Sequence, residues 1–136
     1  MDIQITFPGG ARVDAQIGSH VVATDQPVNG GGADSAASPF DVFLAALGTC
    51  TGIYALNFCR QRNISTEGLR MTQHMDTDSE TGMVRAITLE IHLPADFPVK
   101  YTAALLRAVE QCKVKKHLEH PPQVAVTTST IDTVVT

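Results

Sequence analysis

At 136 residues the chain is long enough to bury a core of its own, and it reads as one domain over residues 1–136. A formal net charge of −4 with only 18% charged residues, and no basic cluster beyond Lys113, Lys115 and Lys116, exclude nucleic acid as the main partner. Three cysteines behind an acidic, strand-like start (MDIQITF) point to free thiols or a redox pair in a reducing cytoplasm, not to a disulfide framework.

The first elements read as strands. Ile3–Phe7, Arg12–Ile17 and His20–Thr24 alternate or run with β-branched residues, and Pro8-Gly9-Gly10 and Gly18-Ser19 break them. Asp25–Ala37, with Gly30-Gly31-Gly32 inside it, is a long loop of the kind that is mobile or functional in a compact domain. It lacks the Lys-Ser/Thr ending of a phosphate-binding loop. Asp34 reads as a loop cap in preference to a pocket residue.

Ser38–Asn63, SPFDVFLAALGTCTGIYALNFCRQRN, is the long apolar stretch. Ser38 suits a helix cap, Pro39 the first helical position, and Asp41 the place of a capping-box acid. A helix apolar nearly all round belongs in a core, and its interior polar residues and Arg60-Gln61-Arg62 end fit that better than a membrane span. Gly48 and Gly52 cost about 1 kcal/mol each relative to alanine, so something should approach the backbone closely there. Cys50 lies between them. Phe43, Leu47, Cys50, Tyr54 and Phe58 fall on one stripe. Cys59, nine residues beyond Cys50, lies about half a turn away, so the two cannot pair within one straight helix.

Leu69–Met75 and Val84–Leu93 read as two strands around a polar tip, Asp76–Gly82, with Ile87, Leu89, Ile91 and Leu93 turned to the core. A second helix runs from about Asp96–Pro98 to Cys112, the KVKKHLEH segment adds a short helical turn, and Gln123–Val135 is a final strand. The order βββ-α-ββ-α-β predicts an α+β fold with a mostly antiparallel sheet around a central apolar helix. That helix is too apolar for one sheet face to cover, which predicts a homodimer.

Leu105, Val109 and Cys112 share a helix face, so Cys50 and Cys112 can meet across a helix contact. The plainer reading, in which all three cysteines are small buried hydrophobes, stands beside it. Cys59, beside Phe58, reads as structural. Cys112, His117 and His120 have metal-like spacing, but Cys50 would have to join them and no acid/base glutamate is evident, so no metal is expected. His20, His74 and His92 read as surface or satisfied polar positions.

Gly30-Gly31-Gly32 through SPFDVFLAALGTC to Cys50, and AVEQCKVKKHL around Cys112, resemble the OsmC/Ohr family of thiol peroxidases, in its OsmC-like branch. The element order matches across nearly the whole chain. The resemblance implies an intertwined homodimer with sites between subunits. It implies Cys50 as the thiolate that attacks an organic hydroperoxide and becomes a sulfenic acid, and Cys112 as the thiol that condenses with it. A small dithiol or a lipoylated protein would re-reduce the pair, with no cofactor.

Such chemistry needs a cation or hydrogen-bond donors near Cys50. The best-characterised branch carries a glutamate ten residues before its first cysteine, holding an arginine against the thiolate; Phe40 stands there in this chain. Asp41 is one residue later, on the opposite angular face from Cys50, and is read as a cap before an activating acid. Arg12, after Gly9-Gly10, is the nearest match to the arginine, against an equal reading as an exposed strand residue. The family's Cys-Pro is Cys112-Lys113 here, and the lysines nearby are a second source of positive charge. Phe40 also sustains an alternative, a non-enzymatic redox-sensing or apolar-ligand-binding dimer.

Overall fold

The computed structural model describes residues 1–132. Three strands, β1 (Gln4–Gly9), β2 (Arg12–Ile17) and β3 (His20–Thr24), form an antiparallel sheet in sequence order. Gly10, at φ +58, takes the left-handed turn between the first two. This sheet has little cover: Ile5, Phe7 and Val21 are each more than half exposed, and its strands pack mainly on one another.

The long helix α1 spans Pro39–Gln61. Its start follows the sequence signals: Ser38 Oγ accepts the Asp41 N–H at 3.2 Å, Pro39 occupies the first position, and the Asp41 carboxylate complements the positive end of the helix. Its end is set by Asn63, which adopts φ +54. The Ile64 N–H reaches Cys59 O at 2.9 Å and the Asn63 N–H reaches Arg60 O at 3.3 Å, the paired bonds of a Schellman stop with asparagine in the usual glycine place.

The buried face of α1 is Leu47, Thr51, Ala55, Phe58 and Cys59. This corrects the expected stripe by about one position: Phe43 is 43% exposed, and Cys50 sits at the margin of the buried face. A second antiparallel pair, β4 (Arg70–Thr77) and β5 (Val84–His92), packs beside α1 with Met71 opposite Ile91 and Gln73 opposite Leu89. The described residues thus hold two separate antiparallel sheets. Asp78 shapes the β4–β5 turn by accepting the Glu80 and Thr81 amides at 2.8 and 3.0 Å.

After a 3₁₀ turn at Val99–Tyr101 come α2 (Thr102–Val109) and α3 (Lys113–Glu119). The second helix therefore ends three residues before Cys112. Cys112 leaves helical geometry, at φ −49 and ψ 123, and stands as the capping residue of α3. KVKKHLE is accordingly a helix in its own right, with His120 as its C-cap. The core lies between α1 and α2: Ala55, Phe58, Cys59, Phe97, Leu105 and Val109, with Ile91 and Leu93 of the β5 end against it. Phe58 and Tyr101 meet edge to face, centroids 6.1 Å apart.

Among the described residues the predicted last strand does not form. Residues 121–132 are neither helix nor strand, and Val124, Val126 and Ile131 stand at least 85% exposed. A strand exists only by pairing, and within the described residues this stretch has no partner; the remainder of the expected strand, up to Val135, lies outside them.

Candidate active site

Cys50, Cys59 and Cys112 are all free thiols. Cys50 lies near enough to Cys112 to help lower its pKa, so the two thiols approach one another where α1 and α3 pack. Cys112 itself is completely buried. Burial pushes its thiol up, but the Lys115 amide, the Thr51 hydroxyl, the Cys50 thiol and the Val114 amide oppose that, and the net shift is downward. No side-chain cap bond closes at the head of α3; the Val114 and Lys115 amides of its first turn nonetheless help to draw the Cys112 pKa down.

The lysine side chains play no part in this. Lys115 Nζ is held by Glu110 and, at 3.6 Å, by Glu119, and Lys116 Nζ by Gln111 at 2.7 Å. Lys115 acts through its backbone. His117 turns Nδ1 to Lys113 O at 2.7 Å, a bond in which the ring nitrogen carries the proton.

The glycines beside Cys50 have different neighbours. A Cβ on Gly48 would stand 2.5 Å from Gln73 Oε1, whereas one on Gly52 would meet only Met71 Sδ at 3.8 Å. Gln73 reaches in from β4 and donates Nε2 to Leu44 O at 3.0 Å. The expected close approach is therefore real at Gly48 and ordinary at Gly52. Gln73 escaped the sequence reading because a polar residue in a half-exposed strand carries no signal of its target.

The other candidates lie apart from the thiols. Asp41 is in the first turn of α1, nine residues before Cys50, about 13 Å along the axis at the usual rise. Arg12 donates Nη2 to Asp14 Oδ2 at 2.8 Å, on a sheet that packs mainly on itself. Within one chain it is Asp14 that Arg12 engages.

The glycine-rich loop is tied down by a residue the sequence reading passed over. Asp25 is 1% exposed and accepts the Ser35 hydroxyl at 2.5 Å, the Ser35 and Ala33 amides at 3.0 and 3.3 Å, and the Gln26 amide at 2.8 Å. These bonds, led by Ser35, hold its carboxyl at about 2. Gly32 has no room for a side chain, since a Cβ would lie 2.1 Å from Gln26 O. An acid opening a Gly- and Ser-rich loop was the available signal. Asp34 takes φ +53 and donates its amide to Gln26 O at 3.0 Å, which is a loop-shaping role.

A groove of about 720 Å³ runs over Phe40, Phe43, Leu44 and Leu47 of α1, Ile87 of β5 and Leu118 of α3. It is apolar and ends at Leu47, three residues short of Cys50, so it adjoins the thiol pair without including it.

No curated protein sequence is a significant match. The fold is similar to several solved structures at low identity. One is a protein of Psychrobacter arcticus 273-4 described as an osmotic stress induced and detoxification response protein (TM-score 0.71, 21% identity, covering 84% of this chain and 85% of that one). Another is an OsmC-like protein of Mycoplasma pneumoniae (TM-score 0.70, 15% identity, 88% and 87%). A third is an organic hydroperoxide resistance protein OsmC of Legionella pneumophila (TM-score 0.51, 18% identity, 87% and 89%). These likenesses establish a shared α+β architecture. The OsmC-like protein family matches residues 31–127, a span that takes in the glycine-rich loop from Gly31 onward, all three helices and both Cys50 and Cys112, and the chain belongs to that family.

Proposed function

We propose that the protein is a thiol-dependent peroxidase of organic hydroperoxides. The observation that carries this reading is the approach of two free thiols, Cys50 and Cys112, one at the margin of the buried face and the other sealed and drawn toward its anion. The name of the Legionella neighbour and family membership support the substrate class.

The Cys50 thiolate attacks the outer oxygen of ROOH. An S–O bond forms, the O–O bond breaks, and the alkoxide leaves and takes a proton as ROH; sulfur is oxidised and the peroxide reduced. Cys112 then attacks the Cys50 sulfenic sulfur. The S–S bond forms, the S–O bond breaks, and hydroxide leaves as water with the proton Cys112 gives up. A small dithiol or lipoylated protein reduces the disulfide, regenerating both thiols and becoming oxidised itself. The site asks for no cofactor or metal in this scheme.

A homodimer belongs to the same proposal. The β1–β3 sheet and the outer face of α1 are apolar and largely bare in one chain, and a second copy gives both a cover. Arg12, released from Asp14 or shared with it, is then the candidate cation for the partner's Cys50. A reducing cytoplasm suits thiols that must start each cycle free.

Intact mass after one equivalent of cumene hydroperoxide tests the reading. Rapid loss of two hydrogens that requires both Cys50 and Cys112 supports it; a Cys50→Ser protein that still consumes the peroxide at the parent's rate sinks it. The apolar groove favours a second reading, a non-enzymatic binder of apolar ligands. A thiol pair inert to hydroperoxide, in a protein that binds a fatty-acid probe in that groove, selects it.

A further inference from the structure

Two arginines converge on one cleft. Arg62 caps the end of α1 and Arg107 stands in the last turn of α2, and both line a hollow of about 580 Å³ between the two helices. Its floor is apolar, made by buried Phe58 with half-buried Ala104 and Ala108. Its rim is polar and exposed, and besides the arginines it carries Asn57, Gln61 and Gln111. No acid lines it, in a chain whose formal net charge is −4.

Unpartnered arginines are common on surfaces, and one at a helix C-terminus complements the helix dipole. What sets these two apart is how they are held. The Arg62 guanidinium lies 3.7 Å over the Phe58 ring and 5.9 Å from the Tyr101 ring, and it donates Nη1 to Phe58 O at 3.3 Å. The group is therefore fixed in place with most of its N–H donors unspent. Arg107 has an acid at a helical spacing that suits a pair, Glu110 three residues on. Glu110 is taken by Lys115 instead, which also draws Glu119 at 3.6 Å. Among the described residues neither guanidinium is paired with a carboxylate. Gln111 accepts from Lys116 Nζ through Oε1 at 2.7 Å, so its NH₂ is the end left to give.

An apolar floor under two unpaired cations and amide donors suits an anion on an apolar body. We propose that this cleft binds a small organic carboxylate. Arg62 and Arg107 take the carboxylate, whose two oxygens match their planar forks, and its short apolar part lies on Phe58, Ala104 and Ala108. Along α1 the site adjoins the thiol pair on the side away from the apolar groove. That groove ends at Leu47, whereas this cleft begins at Tyr54 and Gln111, a turn beyond Cys50 and one residue before Cys112. Binding here uses neither thiol, so the proposal stands apart from the peroxidase reading.

A titration of the full chain with hexanoate, followed by protein NMR, tests it, with hexanol and inorganic phosphate as partial probes. Hexanoate saturates one site per chain. Hexanol, which lacks the charge, and phosphate, which lacks the apolar body, each bind about tenfold more weakly or worse. Arg62→Gln and Arg107→Gln each weaken hexanoate by a similar factor. Arg107 is exposed and outside the core, so its variant keeps the test open should Arg62→Gln unsettle Phe58. Arg60→Gln, which removes the same charge from an exposed residue outside the cleft, leaves the affinity unchanged. No saturable binding of hexanoate, an affinity indifferent to Arg107→Gln, or an equal loss from Arg60→Gln overturns the proposal. Hexanol or phosphate binding as tightly as hexanoate overturns it as well, since the cleft would then read only half of the ligand.

Discussion

Cys59 and Cys112 are equally sealed, at 1% and 0% exposure, and both face the contact between α1 and the segments after β5. Their acidities move in opposite directions. Burial drives the Cys59 thiol up, only partly opposed by the Arg62 guanidinium, which lies 3.7 Å over the Phe58 ring. At Cys112 burial acts the same way, but two amides, a hydroxyl and a thiol outweigh it. Burial alone makes a cysteine an inert hydrophobe; burial with donors aimed at the sulfur makes it a chemical group. The two ends of one helix contact thus show both fates.

The largest expected effect separates the two thiols by what they become. After one equivalent of hydroperoxide, Cys59→Ser protein loses two hydrogens like the parent, Cys112→Ser gains one oxygen and stops at the sulfenic acid, and Cys50→Ser does neither. Intact mass reads all three outcomes. A Cys112→Ser protein that still closes a disulfide, through Cys59, would erase the distinction between the two buried thiols.

Stability should rank them the other way. Cys59 packs among Ala55, Phe58, Leu105 and Val109, and Cys59→Ser puts a hydroxyl there at a cost of about 1–3 kcal/mol. Cys59→Ala, which removes only the sulfur, costs about 1 kcal/mol. Urea unfolding checks the order; serine tolerated as well as alanine would mean that the Cys59 pocket is not the dry core described.

The alkaline limb sharpens the comparison further. The Cys59 pKa is raised on folding, so its contribution is intact below the unfolded thiol value and is lost as pH climbs through the folded one. The Cys112 pKa is lowered, so its contribution is intact above the unfolded value and is lost as pH falls through the folded one. Between neutral pH and the upper end of thiol titration, Cys59→Ala should flatten the decline in stability and Cys112→Ala should steepen it. Identical slopes in the two variants would undo the assignment of opposite shifts.

Much of this was legible in the chain because local signals agreed with the final packing. Ser38-Pro39 and Asn63 bracket α1, the alternation in Val84–Leu93 marks β5, and Gly48-Thr49-Cys50-Thr51-Gly52 flags the unusual part of the helix. What was not legible depended on contacts between distant segments. The stripe through Phe43 and Cys50 gave way to one through Thr51, because periodicity fixes the width of an apolar face on a nearly all-apolar helix but not its direction. The kink that makes Cys112 a cap, and the Val- and Thr-rich residues 123–132 left without a pairing partner among the described residues, likewise follow from partners that a local pattern does not name.

The smallest effect probes why the Cys50 end of the contact is built from glycine at all. Alanine in place of an interior helical glycine gains about 1 kcal/mol from propensity alone. At Gly52 the new methyl meets Met71 Sδ at 3.8 Å, an ordinary contact, so Gly52→Ala should raise the melting temperature by the full propensity gain. At Gly48 it would lie 2.5 Å from Gln73 Oε1 and expel the amide that bonds Leu44 O. Losing that bond costs about 1 kcal/mol, so Gly48→Ala should leave stability nearly unchanged. Combining Gly48→Ala with Gln73→Ala removes the clash and should recover part of the gain. If Gly48→Ala stabilises as much as Gly52→Ala, Gln73 is not what requires the gap. If Gly52→Ala destabilises, a second chain must press on the helix beside Cys50, and the open side of the thiol pair is an interface.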